Sequence, residues 1–417
     1  MIKGNLVFSP RLGELTTLEH GALLLDDDGT VRDVLAAPPE NCGAEVTDCG
    51  DMLVMPSFVD MHLHAPQYPM LGMGMDLPLI DWLNTYTFNT EARFADTDYA
   101  RRTYRRLARD LITGGTTRVC MFSSLHTDAT LILMEELERA GVTGYVGKVN
   151  MDRNSGDLLR ETTGESKRET LRWLDECGQF RHVGPILTPR FTPSCTDGLM
   201  AWLGRLADER GLRVQSHLSE NGGEIAWVRE LHPDCAQYWE TYDKYGLWKD
   251  RTVMAHCVHS DAREREALLE HNVVVAHCAG SNLNICSGVA PIRTMLREGV
   301  WVTLGSDIAG GASPAMYQVV TMSIRASKIL HMNTGGEEEF LTVDEAYYLG
   351  STAGHRYFGA DGGFAKGMPL HAIAVDDGVF AEPVRELTLR ERFERSIYLM
   401  DKSAIRIVWS EGKRVVG

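Results

Sequence analysis

The segment SFVDMHLH (57–64) carries most of the information about the fold, because it reads as one short buried strand that ends in polar side chains. Successive side chains of a strand point to opposite faces, so His62 and His64 lie on the same side. A long connection follows them directly, up to a helical pattern that begins near residue 97. An apolar strand that ends in polar residues and a long loop is typical of the catalytic rim of a (β/α)₈ barrel.

The pattern of this segment recurs along the chain. Further apolar runs of strand length follow, and most of them are separated by amphipathic helical segments such as TDYARRTYRRLARDLITGG (97–115). The runs are GTTRVCMFS (115–123), TGYVGKVNM (143–151), GPILTPRF (184–191), LRVQSHLS (212–219), TVMAHCV (252–258), VVVAHCA (273–279) and VWVTLGSD (300–307). Strand and helix units in this order predict an α/β fold, a TIM-like (β/α)₈ barrel over residues 55–361.

Both ends of the chain carry short strand-like runs without long helical segments between them. At the N-terminus these are GNLVFSP (4–10), GALLLDDDG (21–29), TVRDVLAA (30–37) and DMLVMP (51–56); at the C-terminus they are HAIAVDDG (371–378), RSIYLM (395–400), IRIVWS (405–410) and KRVVG (413–417). Neither set can bury a sheet face alone. We therefore expect residues 1–54 and 362–417 to combine into one small β-sandwich domain beside the barrel.

Composition excludes several classes of protein. The formal net charge of −16 over 417 residues repels nucleic acid and anionic membrane surfaces. The nine cysteines form no CxxC pair, which fits reduced thiols rather than a disulfide framework. The sequence has neither an apolar signal segment nor a run of eighteen apolar residues. We expect a cytoplasmic protein that binds neither nucleic acid nor membrane.

Further polar residues end predicted barrel strands as His62 and His64 do. They are His217 in LRVQSHLS, His256 in TVMAHCV and Asp307 in VWVTLGSD. One buried histidine is usually a hydrogen-bonded core residue and one aspartate a helix cap. Several such residues at several strand ends are harder to explain in that way. A closed barrel brings these ends together, so the five side chains can converge on one zinc ion that also holds a water molecule.

Three other residues lie at strand ends without being expected ligands. Glu220, in HLSE, follows His217 closely enough to act as a proton shuttle beside the metal, although a solvated loop is the ordinary environment for such a glutamate. His277 lies on the strand next to that of His256, and we expect it to influence the substrate electrostatically. Arg190 indicates an electronegative substrate group, such as a carbonyl oxygen. Its strand carries no lysine that could bridge two metals, which favours a single ion.

These motifs resemble the amidohydrolase superfamily, and within it the guanine deaminase branch. The similar segments lie in order between about residues 55 and 315: PSFVDMHLHAPQYP, DLPLIDWLNTYTF, HTDATLIL, ILTPRFTPSC, QSHLSEN, TVMAHC, AHCAGSNLNICSG and GSDIAGG. The DLPL…WL…YTF and TPRF segments are much more specific than the HxH pair. The resemblance implies one Zn²⁺ per subunit, with Fe²⁺ as an alternative, bound by His62, His64, His217, His256 and Asp307.

The resemblance also implies how guanine would become xanthine and ammonia. Gln67 and Arg190 would read the edge of the purine, and Phe191 would pack on its face. Water activated by the metal, with help from Asp307, would attack the amino-bearing ring carbon. Glu220 would protonate a ring nitrogen, and His256 would help to orient the tetrahedral intermediate.

The sequence departs from the family pattern at one point near these residues. Where the family has HCPxSN, this chain has Ala279 and Gly280 after His277 and Cys278. The first alternative is therefore a deaminase of another aminated ring, such as 8-oxoguanine, a pterin or a triazine. A cyclic-amide hydrolase lacks support because no bridging lysine is present. A non-catalytic barrel that only binds ligands would be expected to lack a metal ligand, and none is missing.

The connection after the first barrel strand is the last feature that bears on function. The segment DLPLIDWLNTYTFNTEARFAD (76–96) contains proline and aromatic residues, which argues against disorder. We expect it to form a lid or an oligomer contact, and its aromatic residues favour a homodimer. The predicted partner is otherwise a small heterocyclic substrate.

Overall fold

The computed structural model describes residues 1–39 and 45–417, so residues 40–44 of the predicted segment 1–54, including Cys42, lie outside the described residues. In chain order the strands are β1 (Ile2–Phe8), β2 (Thr16–Leu25), β3 (Val31–Leu35), β4 (Thr47–Pro56), β5 (Phe58–His64), β6 (Thr116–Phe122), β7 (Thr143–Gly147), β8 (Val149–Asn150), β9 (Val183–Pro185), β10 (Thr188–Pro189), β11 (Gln215–Leu218), β12 (Val253–His256), β13 (Val274–His277), β14 (Trp301–Leu304), β15 (Ala372–Val375), β16 (Ile405–Ser410) and β17 (Lys413–Val416).

Helices alternate with the central strands. They are α1 (Leu79–Trp82), α2 (Phe88–Ala92), α3 (Thr97–Thr113), α4 (Thr127–Ala140), α5 (Thr163–Glu176), α6 (Asp197–Arg210), α7 (Gly222–Leu231), α8 (Glu240–Asp243), α9 (Ala262–Glu270), α10 (Ala279–Asn284), α11 (Ile292–Glu298), α12 (Met316–Asn333), α13 (Val343–Gly350), α14 (Thr352–Tyr357) and α15 (Leu389–Leu399). Within residues 1–39 and 45–417, no helix is both long and apolar enough to cross a membrane.

The predicted (β/α)₈ barrel is confirmed. Strands β5, β6, β7 and β9 form one parallel sheet and strands β11 to β14 another. A parallel bridge between Leu187 and Val214 joins the two sheets. The ring closes where the amide N–H of Asp307 donates to the carbonyl oxygen of His62 at 2.8 Å. The carboxyl ends of all eight strands therefore meet at one rim of the barrel.

Helix α3 illustrates how the sequence builds the outer layer. Its buried residues recur at helical spacing and pack towards the barrel: Ala100, Tyr104, Leu107, Ala108, Leu111 and Ile112. Asp96 begins the helix, because its side chain accepts from the backbone N–H groups of Asp98 at 2.9 Å and Tyr99 at 3.1 Å. Such a cap stabilises a helix by about 1 kcal/mol.

Strands from both termini combine into one small domain, as predicted. They form a seven-stranded sheet in the order β17-β16-β15-β4-β1-β2-β3. The N-terminal strands join the C-terminal strands where β4 pairs with β15. The sheet curls around a core of its own, which includes Leu6, Leu23 and Trp409. The turns at Gly29 and Gly412 consequently touch, so that a Cβ on either glycine would lie 2.5 Å from the other. The limits of this domain at residues 54 and 362 stay a prediction.

One predicted strand was wrong. RSIYLM (395–400) lies in and just after helix α15. Thr388 and Glu391 form a capping box that starts this helix, and the buried residues Leu389, Phe393 and Ile397 lie four residues apart on one helical face. The run of strand-forming side chains that favoured β structure is too short to outweigh this longer helical pattern.

Candidate active site

The five predicted ligands meet at the carboxyl-terminal rim of the barrel. His62 Nε2 lies 3.2 Å and His64 Nε2 3.5 Å from Asp307 Oδ1. His64 Nε2 and His217 Nε2 are 3.1 Å apart, and His256 Nε2 lies 3.8 Å from Asp307 Oδ2. All five side chains are buried. The barrel brings them together from four strands, β5, β11, β12 and β14, as the strand-end argument predicts.

Hydrogen bonds orient two of these histidines. His217 Nδ1 lies 2.6 Å from the carbonyl oxygen of Arg190, and His256 Nδ1 lies 2.8 Å from Asn282 Oδ1. Both partners accept, so each Nδ1 carries the proton and each Nε2 presents a lone pair to the cluster. Histidine ligands of metals are commonly held in this way by a partner on the other ring nitrogen.

The donor set fits a divalent metal ion. Burial lowers the pKa of His62, and it lowers the pKa of His64 and His217 well below the usual value, so all three are neutral imidazoles. Burial alone would raise the pKa of Asp307, but the adjacent imidazole of His62 and the other neighbouring histidines hold it well below its usual range. His62 Nε2 is buried without a hydrogen-bond partner. Neutral imidazoles with one carboxylate form the kind of site that binds zinc or a similar ion.

The backbone at this rim is strained where it aims the side chains. His256 has φ of 75° and Asp307 has φ of 46°, values in the left-handed region that non-glycine residues rarely adopt. Each such residue costs of order 1–3 kcal/mol and persists only where the surrounding structure holds it. Strain of this kind concentrates at functional sites.

Glu220 lies beside the cluster without joining it. Its Oε2 is 3.5 Å from His256 Nε2, and its side chain is 7% exposed. Burial, and next the nearby Asp307, raise the pKa of Glu220 well above its usual value. A carboxyl group that keeps its proton near neutral pH can deliver that proton to a bound molecule.

A cavity of about 440 Å³ opens onto the cluster and onto Glu220. The predicted lid segment supplies much of the apolar wall through Leu79, Trp82 and Leu83, and it is ordered as helices α1 and α2 with a turn of π-helix between them. The cavity therefore combines apolar walls with a few polar groups, as ligand sites do.

Three of the four predicted substrate-binding residues line this cavity: Gln67, Arg190 and Phe191. Phe191 packs edge-on against Trp227, with ring centroids 6.1 Å apart. His277 is buried at the end of β13 and does not line the cavity. Burial, with a smaller contribution from His256, lowers the pKa of His277 to about 3.

The sequence reasoning missed Glu91. This glutamate is fully buried on α2, where its carboxylate accepts from Gln67 Nε2 at 2.9 Å and from Arg190 Nη1 at 2.7 Å. No pattern marks it, because a glutamate on a short helix ordinarily faces solvent.

Asp60 and Asn282 were also missed, although signals for both were present. Asp60 is two residues before His62, so the alternation that pairs the histidines also turns this side chain inward. Its carboxylate accepts from the N–H of Ser306 at 2.9 Å, next to Asp307. Asn282, which holds His256, lies within the AHCAGSN segment that carries the family resemblance.

The departure at residues 279 and 280 lies outside the cavity lining. Ala279 and Gly280 begin helix α10, and neither contributes to the cavity wall. The departure lies at the start of the helix that carries Asn282, and Ile285, which ends that helix, lines the cavity.

Known proteins with similar sequences and structures identify the family of this chain. Residues 53–415 match the model of the amidohydrolase family. The chain is 34% identical to a guanine deaminase of Dictyostelium discoideum, over 100% of this chain and 98% of that protein. It is 38% identical to the guanine deaminase of Rattus norvegicus, over 87% and 82%. The crystal structure of a guanine deaminase from C. acetobutylicum with guanine bound in its active site superimposes with a TM-score of 0.96 at 40% identity, over 99% of both chains.

Proposed function

The chain belongs to the amidohydrolase family, and within it to the guanine deaminases, and from this premise we propose that it hydrolyses guanine to xanthine and ammonia. One water molecule enters, the bond between ring carbon and exocyclic nitrogen breaks, and the amino group leaves as ammonia. The observation that carries the proposal is that a histidine and aspartate cluster, a buried glutamate with a raised pKa and a donor-bearing wall all face one cavity.

We propose zinc as the metal, one ion per subunit, held by His62, His64, His217, His256 and Asp307. Nitrogen donors with one carboxylate favour zinc, although ferrous iron accepts the same ligands. When bound, the ion polarises a water molecule and lowers its pKa towards neutrality.

We propose that one acidic side chain accepts a proton during the reaction and that another donates one. Asp307 is ionised, so its carboxylate can accept a proton from the attacking water. The raised pKa of Glu220 favours its protonated form, so its carboxyl can deliver a proton to a ring nitrogen as the carbon becomes tetrahedral. The proton taken up by Asp307 then leaves with the amino group as ammonia, and the hydroxyl proton of the tetrahedral intermediate returns to Glu220. His256, held at Nδ1 by Asn282, directs Nε2 at the same region and can stabilise the oxygen that adds to the ring.

The remaining proposed contacts recognise the ring. Gln67 and Arg190 carry N–H donors suited to a carbonyl oxygen or ring nitrogen of the purine, and Phe191 offers an aromatic face or edge. His277, buried as a neutral imidazole on the strand next to that of His256, is proposed to influence the substrate electrostatically without contacting it.

Assembly and location extend the proposal. We propose a homodimer, because apolar side chains of the connection after β5 are exposed, with Met73 47% and Ile80 42% accessible. The test is the mass of the protein by light scattering after gel filtration; a monomer at micromolar concentration would remove this assignment. A cytoplasmic location agrees with the free thiols of the eight described cysteines.

The test of the function is ammonia release by the zinc-loaded protein from a panel of guanine, 8-oxoguanine, pterin, isoguanine, cytosine and ammeline. Metal-free protein serves as the control. Selective turnover of guanine is the expected result. Preferential turnover of another ring would keep the chemistry and change the substrate, and no turnover of any ring by metal-loaded protein would refute the proposal.

A further inference from the structure

One buried carboxylate connects the two polar side chains that face the substrate end of the cavity. Oε1 of Glu91 accepts a hydrogen bond from Gln67 Nε2 at 2.9 Å, and Oε2 accepts one from Arg190 Nη1 at 2.7 Å. The side chain of Glu91 is buried. The two donors come from parts of the chain that lie 123 positions apart, since one follows β5 and the other follows β10. A single side chain of α2 therefore fixes both of them.

Glu91 also determines which end of the Gln67 amide faces the cavity. A carboxylate only accepts hydrogen bonds, and the backbone N–H of Ala309, which lies 3.0 Å from Gln67 Oε1, only donates. Only one orientation of the amide satisfies both partners. Oε1 is therefore engaged by the backbone, and the remaining N–H of Nε2 is left for a ligand.

Arg190 is restricted in the same way. Its guanidinium has five N–H groups and no acceptor, and the carboxylate of Glu91 fixes Nη1. The guanidinium carbon also lies 5.5 Å from the ring centroid of Phe88, on the same helix as Glu91. Gln67 and Arg190 together thus present hydrogen-bond donors to the cavity.

We propose that Glu91 is a positioning residue that sets substrate specificity. By holding Gln67 and Arg190 as donors, it selects an aminated heterocycle that carries a carbonyl oxygen away from the reacting carbon. A ring with hydrogen or an amino group at that position leaves buried donors without an acceptor, which a site of this kind rejects. The inference rests on the proposed function, because the carbonyl in question is that of guanine.

The test compares two substrates that share the reacting amino group. Guanine carries the carbonyl oxygen, whereas 2-aminopurine has hydrogen at the same ring position. In Glu91→Gln, kcat/KM for guanine should fall about 100-fold, mainly through KM, because the donors are no longer held in place. For 2-aminopurine, which offers these donors no acceptor, kcat/KM should not fall and should rise where the released donors no longer stay unpaired, so the preference for guanine should drop.

The matched control is Glu136→Gln. Glu136 is also a buried carboxylate paired with arginines, at 3.1 Å from both Arg101 and Arg105, but it lies on helix α4 outside the cavity lining. In Glu136→Gln, the ratio of kcat/KM for guanine to kcat/KM for 2-aminopurine should equal that of the wild type. Metal content is measured for every variant and should equal that of the wild type.

The outcomes separate this inference from the function on which it rests. If wild-type protein does not release ammonia from guanine, the proposed function fails and the inference falls with it. If wild-type protein is active but Glu91→Gln loses activity equally on both substrates, Glu91 only stabilises the fold and the inference is overturned. If Glu91→Gln does not fold, Glu91→Asp takes its place, because it keeps the charge but withdraws the carboxylate by one methylene. It should also lower the ratio of kcat/KM for guanine to kcat/KM for 2-aminopurine. An unchanged ratio in Glu91→Asp would overturn the inference.

Discussion

Replacing Glu220 with glutamine should abolish most turnover while leaving the metal in place. Glutamine has nearly the same shape, so the substitution opens no cavity, and Glu220 is not among the proposed ligands. What it removes is the acidic proton of a carboxyl whose pKa burial and Asp307 raise well above the usual value. General acid and base catalysis by one side chain contributes about 10²- to 10⁴-fold, or roughly 3–5 kcal/mol of barrier.

The structure favours the upper half of that range. The side chain is only 7% exposed, and the apolar residues Leu79, Trp82 and Leu83 line the same cavity, so bulk water cannot easily supply the missing proton. We therefore expect kcat to fall about 1000-fold or more, with KM changed much less. The assay is the initial rate of ammonia release from guanine, with metal content determined on the same samples.

Glu264→Gln is the matched control for this experiment. Glu264 is equally buried, and it accepts from Ser219 Oγ at 2.9 Å, but it does not line the cavity. Its variant should retain most activity. A metal-loaded Glu220→Gln variant with kcat within about threefold of wild type would refute the shuttle assignment. Equal losses in both variants would attribute the effect to disturbed packing instead.

Three further predictions test the metal site, the electrostatics and the barrel. His217→Ala should lose both activity and bound metal, measured by elemental analysis, and added zinc should no longer raise its Tm as it does for wild type. Burial raises the pKa of Glu264 from 4.5 to about 7. The protonated side chain therefore stabilises the fold below pH 4.5, and this contribution is lost as the pH rises through about 7. Between these pH values the free energy of unfolding of Glu264→Gln should fall less than that of wild type. Gly144→Ala should lower the stability by about 1–3 kcal/mol, seen as a lower Tm, because the new Cβ would lie 2.1 Å from Val119 O at a backbone φ of 131°. Gly164→Ala, where the Cβ meets no atom within 4 Å, should leave the Tm nearly unchanged.

The sequence predicted that the five side chains converge, because their convergence follows from strand alternation and barrel closure. Alternation along a strand turns His62 and His64 to one side, and barrel closure brings the ends of β11, β12 and β14 to the same rim. Both rules depend only on which residues end apolar runs. His217, His256 and Asp307 could therefore be identified without knowing any distance between them.

Glu91 could not be predicted in this way. Its partners Gln67 and Arg190 lie 24 and 99 positions away, and neither contact follows from strand alternation or barrel closure. It depends on how the connection after β5 folds back over the rim, which only tertiary packing determines. The error at residues 395–400 has a different cause, since the capping box at Thr388 and Glu391 was readable in the sequence and a short apolar run was given more weight.

The replacement of the family's proline by Ala279 can be explained by how a helix begins. Ala279 is the first residue of helix α10, a position at which proline is favoured because its missing N–H would have no partner within the helix. Alanine can occupy that position without losing a hydrogen bond, and it propagates a helix well. Helix α10 therefore still forms, and Asn282 still holds His256 Nδ1 at 2.8 Å. The substitution therefore preserves the contact that orients His256, and the proposed control of substrate choice lies with the residues that line the cavity and with Glu91 behind them.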